Sequence, residues 1–377
     1  MKILIALFTY VIVFNTTRLP AFQLTFEEVL TIGEKDSDNS AFLFSGITNL
    51  KVLDNNNIIV SDVSDNSIRV FNETGEFLRR IGRRGRGPGE FQHITSIFLD
   101  SENRIQVLDR FQNRISIFEK NGTFQKSIKL NSVPVGTSIF VSQIDHSKNY
   151  LIGYRDYRNI SNTYLLHKFD STFSTQLNKY IDVFKHFYNV DDKMEVQISQ
   201  RPAYLFTSFL ENYLAMAPDV YTGTIVVFDK NSSKVKLIGE KISEYVKQYN
   251  WNNREQIRST GETGFASSSS QSGRFFYKQK GGTFGLLAND RFLLHFYAIN
   301  SGQEIRPFLK VYNRNLELIE TLNLQNESEL FIDQNRISGI PHFLDKNNRL
   351  YISDHLYNDT YPAIRVFEIN LDELDKN

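Results

Sequence analysis

Residues 62–77 (DVSDNSIRVFNETGEF) and residues 109–124 (DRFQNRISIFEKNGTF) are two copies of one pattern, 47 residues apart. Asp62, Asn66, Ile68, Phe71, Gly75 and Phe77 recur as Asp109, Asn113, Ile115, Phe118, Gly122 and Phe124, and Val70 recurs as Ile117. A repeat of this length, with alternating apolar residues between Asn, Asp and Gly turns, is one supersecondary unit used many times. Such a unit buries its apolar faces only by stacking on its neighbours. For antiparallel strands, radial repetition of four-stranded blades is the usual outcome.

Each copy divides into four strands. An inner strand reaches an acidic turn at Leu53-Asp54 or Leu99-Asp100, and a second strand ends on Asp62 or Asp109. A third carries Ile68 to Phe71 or Ile115 to Phe118, and Gly75 or Gly122 turns the chain into a fourth. The code returns near the C-terminus, where residues 343–354 (FLDKNNRLYISD) align with residues 98–109 (FLDSENRIQVLD). No fourth strand follows there. Residues 26–33 (FEEVLTIG) resemble the fourth strand of residues 77–82 (FLRRIG), so the N-terminal strand is expected to complete the last blade.

Weaker units span residues 138–181, 204–240 and 283–324. The expected fold is therefore all-β: a six-bladed β-propeller of four-stranded antiparallel blades. One helical insertion is expected between blades 4 and 5, because Ile242, Tyr245, Val246 and Tyr249 recur at helical spacing over residues 241–257. Residues 267–273 read as a flexible polar run beside it, and helix and run together have the geometry of a lid.

Composition bounds the partners. The chain has 43 basic and 43 acidic residues, and neutrality argues against a nucleic-acid or membrane-surface role. The absence of Cys excludes disulfides, thiolate nucleophiles and lipid attachment at a processed N-terminus. Lys2 followed by a largely apolar run over residues 3–14 reads as a signal peptide occupying residues 1–21. The membrane then serves only as an export route, and the protein is expected to be secreted or periplasmic. Residues 22–377 are read as a single propeller domain, with residues 241–282 as its insertion.

The segment GRGPGEF at residues 85–91, followed by Asp100, Asp109 and Asn113-Arg114-Ile115, resembles the NHL repeat. The resemblance covers residues 46–130 and 338–370 and implies an NHL-like six-bladed propeller of the secreted bacterial kind. Blades 3 to 5 depart from it. Arg155 is read at the position of Asp109 in blade 3, Pro218 or Asp219 in blade 4, and Phe296 in blade 5. The family implies fold more firmly than activity, because propellers host many unrelated functions.

Every long connection, at residues 34–45, 182–202, 241–282 and 325–338, is a blade-to-blade link. Such links share one face with the turns between second and third strands, and long loops on one face mark a binding surface. Arg83, Arg84 and Arg86 fall in one such link, with Arg110 and Arg155 in blade register and Trp251 on the expected helix. Arginine forks suit carboxylate, sulfate or phosphate, so these six residues are the candidate ligand contacts.

No catalytic residue and no metal set is assigned, and no cofactor is implied. Asp62, Asp109 and Asp354 recur at one register and so read as blade structure. His93 and His342 are the only histidines placed toward the channel, and a zinc site needs a third ligand. Asp36 and Asp38 lack the Gly and distal Glu of a calcium loop. The leading reading is a binding propeller for a small ligand, glycan or protein. The alternatives are a lyase or hydrolase with a divalent metal in its channel, resembling gluconolactonases or streptogramin lyases, and a structural module of a cell-envelope assembly.

Overall fold

The computed structural model describes residues 22–133, 138–143, 149–154, 164–183, 185–186, 204–240, 242, 246–250, 265–270, 273–279, 281–301, 304–334, 336–357 and 361–376. The expected signal segment, Arg155 and Trp251 lie outside the described residues. Six four-stranded antiparallel sheets form the blades of a propeller. Blade 1 is Ile47–Val52, Ile58–Asp62, Ile68–Phe71 and Phe77–Ile81; blade 2 is Ile94–Leu99, Ile105–Asp109, Arg114–Phe118 and Phe124–Lys129. Blade 3 is Ser138–Gln143, Tyr150–Tyr154, Tyr164–Phe169 and Gln176–Asp182. Blade 4 is Tyr204–Phe209, Tyr213–Pro218, Thr224–Asp229 and Val235–Gly239. Blade 5 is Gly281–Ala288, Leu293–Asn300, Ile305–Tyr312 and Leu318–Asn323.

Blade 6 takes three strands from the C-terminal end, Gly339–Leu344, Arg349–Tyr357 and Tyr361–Ile369, and its fourth from the N-terminal end, Phe26–Ile32. The closing pair runs from Phe26↔Ile369 to Ile32↔Ile364 with one bulge after Glu28. Just ahead of it, the Asn370 side chain receives the Thr25 N–H (2.8 Å) and donates to the Gln23 carbonyl (3.0 Å), and Leu24 is buried.

The core is six wedges, one between each pair of neighbouring blades. Middle strands are buried on both sides, so they read as continuous apolar runs. In IIVSD of blade 1, Ile58 and Val60 face blade 6 while Ile59 faces blade 2. Outer strands are half exposed, as in FLRRI, where Leu78 points to solvent. The turns obey local chemistry. Asn56, Asn103 and Asn348 occupy the left-handed region (φ 63°, 60° and 62°) at the same hairpin of blades 1, 2 and 6, a conformation Asn tolerates better than most residues. Gly122 (φ 91°) must be glycine for a second reason, since a Cβ there would fall 2.8 Å from Ile81 Cγ1.

The insertion before blade 5 differs from expectation. Instead of a helix, its described part is a three-stranded sheet of Val246–Asn250, Gly273–Gln279 and Phe265–Ser270, with Gly273–Gln279 in the middle. Val246–Asn250 pairs with residues 275–279, and the polar run at residues 267–270 pairs with residues 273–276. The i, i+3, i+4 spacing came from β-branched and aromatic residues, and cross-strand pairing with an aromatic partner strand overrides such a local period.

Because the closing strand covers the edge of Tyr361–Ile369 and fills two wedges, deleting residues 24–32 should lower stability by several kcal/mol, or roughly 10 °C or more in Tm. Thermal unfolding followed by circular dichroism checks this; an unchanged Tm would count against the closing strand as a structural latch.

Candidate functional site

The recurring aspartates are clamps. Asp62 Oδ2 accepts the Ser45 and Gly46 N–H groups at 2.9 and 3.0 Å, and its Oδ1 accepts Ser64 N–H at 2.8 Å. Asp109 takes Gln92 N–H at 2.6 Å on one oxygen and Phe111 and Gln112 N–H at 3.0 and 3.1 Å on the other. Each carboxylate thus ties the incoming blade link to the turn after the second strand, which defines the rim of the loop-rich face. Strand pairing corrects the register in the divergent blades. Ile47↔Asp62, Ile94↔Asp109, Ser138↔Tyr154 and Thr283↔Tyr297 are equivalent, so Tyr154 and Tyr297, not Arg155 and Phe296, stand at the aspartate position. Pro218 holds it in blade 4. Both tyrosines make ring stacks. Tyr154 lies on His167 with centroids 3.9 Å apart, and Tyr297 lies on Tyr221 of the neighbouring blade at 3.9 Å and 4°.

On this rim, blade 1 and the link leading into it enclose a cleft of about 410 Å³. Ser40, Leu43 and Ser45 come from the link, Ser64, Asp65 and Ser67 from the turn after the second strand, Arg69 from the third strand, and Arg80, Gly82 and Arg83 from the fourth strand and the link beyond it. Arg69 is 2% exposed and organises the floor. Its Nη1 donates to the Ala41 and Leu43 carbonyls at 3.2 and 2.7 Å, while Nε and Nη2 fork onto Asp65 Oδ2 at 3.1 and 3.0 Å. Arg80 Nη1 reaches the same Asp65 oxygen, and Arg80 Nη2 donates to Ser40 Oγ at 3.1 Å. Arg83, 81% exposed, pairs with Glu90 Oε1 at 2.8 Å. Glu90 is held below the usual carboxylate range by the Gly87 N–H and by Arg83.

A second cavity of about 350 Å³ lies between residues 22–24 and the outer strand of blade 5, walled by the closing segment itself. Among the described residues, no three His, Asp or Glu side chains converge as metal ligands, and no helix is long and apolar enough to cross a membrane.

A family model for a domain of unknown function, DUF4934, matches residues 37–279, more than half of the chain. The chain belongs to the DUF4934 family. No curated protein matches it. Among solved structures, a DUF4221 family member from Bacteroides vulgatus aligns at TM-score 0.58 and 13% identity, covering 92% of this chain and 98% of that one. A Bacteroides fragilis protein inferred to be exported aligns at 0.55 and 14%, covering 92% and 94%. These likenesses concern the fold. Virginiamycin B lyase from Staphylococcus aureus aligns at 0.47 and 11%, covering 92% and 99%, a score that carries no argument about activity.

In this DUF4934 protein the described arginines among the candidate contacts, Arg83, Arg84, Arg86 and Arg110, are spread along the rim. Arg83 lines the cleft, whereas Arg84 and Arg86 are exposed along the following loop. Arg110 packs on Phe111, 5.1 Å from the ring, and Phe111 also stacks on His93 at 5.0 Å. Phe111 is 59% exposed, so the stack presents an aromatic surface on the same rim. Burial and the nearby Arg110 charge hold His93 below the usual imidazole value. Sequence reasoning passed over Arg69, Asp65 and the serines. The available signal was a charge inside the apolar strand IRVF, where the blade 2 copy carries Ser116.

The buried histidines make acid stability measurable. His295, 1% exposed and bonded to Thr283 Oγ1 at 3.1 Å, is pushed from 6.5 to about 3 by burial and by Lys310. His342, beside Ser353 Oγ at 2.8 Å, is likewise pushed to about 3 by burial, Lys51 and His355, but keeps some exposure and contributes less. Between these values the unfolded chain binds the proton and the folded chain does not. Stability is therefore full above pH 6.5 and falls toward pH 3, by up to about 1.4 kcal/mol per pH unit for His295. Chemical denaturation from pH 7 to 4 should show a shallower decline in His295→Gln than in the wild type; parallel curves would contradict the assignment.

Proposed function

We propose that this DUF4934 protein is an exported binding propeller whose loop-rich face holds a small ligand, a glycan or a segment of another protein. The observation that carries the reading is the cleft built by Arg69, Arg80 and Arg83 on the rim where the long links gather. Its walls come from three chain segments tied together, the link to the turn through Asp62 and the fourth strand to both through Arg80, so it is preformed. Among its described lining residues the one carboxylate, Asp65, is held by Arg69 and Arg80, an arrangement that orders the cleft for binding. The exposed Phe111 stack adds an apolar surface nearby in the sequence of the rim, and pockets that combine apolar and convergent polar groups are the usual ligand sites. Export is supported by Lys2 and the apolar run after it, and a Bacteroides fragilis protein inferred to be exported shares the fold. The NHL-type reading of the first, second and last blades rests on the residue 85–91 opening and on the Asp109 and Asn113-Arg114-Ile115 pattern.

A cleft-filling substitution tests the face. Arrayed glycans and displayed peptides retained by the wild type should be lost by Ser40→Trp, which plugs the cleft from an exposed position, and kept by Leu237→Ser on the outer strand of blade 4. Equal retention by the plugged variant would overturn the reading. For export, N-terminal sequencing of protein recovered from its native host should begin at residue 22; a sequence beginning at Met1 would refute processing.

A further inference from the structure

We propose that the blade 1 cleft is a receptor for an oxyanion group, a sulfate, phosphate or carboxylate, carried by the ligand. The inference rests on the binding face argued above and adds the chemistry of what that face selects. It follows from which hydrogen-bonding capacities in the cleft are already used and which remain.

Acceptors are consumed. Asp65 is the only carboxylate among the described lining residues. Its Oδ2 takes three guanidinium N–H groups, two from Arg69 at 3.1 and 3.0 Å and one from Arg80, and its Oδ1 takes Ser67 N–H at 3.1 Å. The buried Asp62 behind it is filled by Ser45, Gly46 and Ser64 N–H groups and lies 3.9 Å from Arg69. Glu90, the partner of Arg83, already receives Gly87 N–H at 2.8 Å.

Donors are left over. Ser40 Oγ accepts from Arg80 Nη2 at 3.1 Å and Ser67 Oγ accepts from Arg80 Nη1 at 3.3 Å. A hydroxyl that accepts keeps its proton to donate. A guanidinium carries five N–H groups, and neither Arg80 nor the mostly exposed Arg83 exhausts them on the contacts given above. Three arginines converge on Asp65, Glu90 and the buried Asp62, whose oxygens are already occupied, so the cleft offers guanidinium N–H and hydroxyl O–H donors with few open acceptors. A metal cation would meet three guanidinium groups. A neutral polyol would bring hydroxyl protons that find few acceptors beyond the serine oxygens. An oxyanion supplies only acceptors and charge, and its oxygens match the guanidinium fork. The cleft volume of about 410 Å³ exceeds what one such group needs, leaving room for the moiety that carries it.

The test is isothermal titration of the processed protein with sodium sulfate, sodium phosphate and sodium acetate, each at ionic strength fixed with sodium chloride. At least one oxyanion should bind saturably with one site. Arg80→Gln and Arg83→Ala should each weaken that binding about tenfold, the scale of one charge-assisted hydrogen bond, and Arg314→Ala, exposed on a blade 5 hairpin, should leave it unchanged. Sulfate and phosphate without acetate identify a tetrahedral ester, and acetate alone identifies a carboxylate. If Arg80→Gln fails to fold, Ser40→Ala and Arg83→Ala decide. No saturable binding of any of the three ions, or equal affinity in Arg83→Ala and Ser40→Ala, overturns the proposal. A larger ligand displaced by Ser40→Trp while no oxyanion binds would leave the face intact and refute only its chemistry.

Discussion

Everything in this protein depends on one antiparallel strand pair, that between Phe26–Ile32 and Tyr361–Ile369. The six apolar wedges are filled only if every blade has a neighbour on both sides. Ile32 sits in the wedge between blades 6 and 1, and Leu24 in that between blades 5 and 6, so this short stretch seals two of the six. A ring in which each interface leans on the next shares a local loss around the whole circle.

Within that ring, the rim is shaped by two interchangeable devices at one position. In blades 1 and 2 a buried carboxylate gathers N–H groups from the link and the turn. In blades 3 and 5 a tyrosine stacks on an aromatic neighbour instead. The exchange has an electrostatic consequence. Where the carboxylate remains, arginine can be recruited beside it, as Arg69 is beside Asp62 and Asp65. Where tyrosine stands, the nearby cation Lys310 faces rings, 5.6 and 5.8 Å from Tyr221 and Tyr297, and burial lowers its affinity for a proton. The charged cleft accordingly forms on the side of the ring that kept its aspartates.

The architecture was legible because its determinants are local and repeated. Asp62 and Asp109, Asn56 and Asn103, and Gly75 and Gly122 each perform the same task in successive blades, so one reading served many strands. The insertion misled because Tyr245, Val246 and Tyr249 suit a helix face as well as a strand, and the deciding partner, residues 275–279, lies a long way down the chain. The candidate site was half legible for a similar reason. Arg83 stood out in an arginine-rich run, but its cleft also needs Ser40 from one link and Asp65 from a turn, and no spacing rule connects them. The register error that placed Arg155 and Phe296 at the aspartate position arose where the repeat lost its carboxylate, leaving no marker against which to count.

The way the closing strands meet also sets how the ring responds to pulling. Phe26 pairs with Ile369, so the two chain ends leave the sheet at the same end of an antiparallel ladder. Tension between them loads that ladder one rung at a time, beginning at this pair, rather than shearing all its rungs together. The Asn370 side chain, bonded to Gln23 and Thr25, and the buried Leu24 sit just ahead of the first rung and act as a stop against peeling. Peeling of this propeller must therefore first break the contacts around Asn370, outside the ladder that they guard, before it reaches the Arg365–Glu28 ion pair across the rungs.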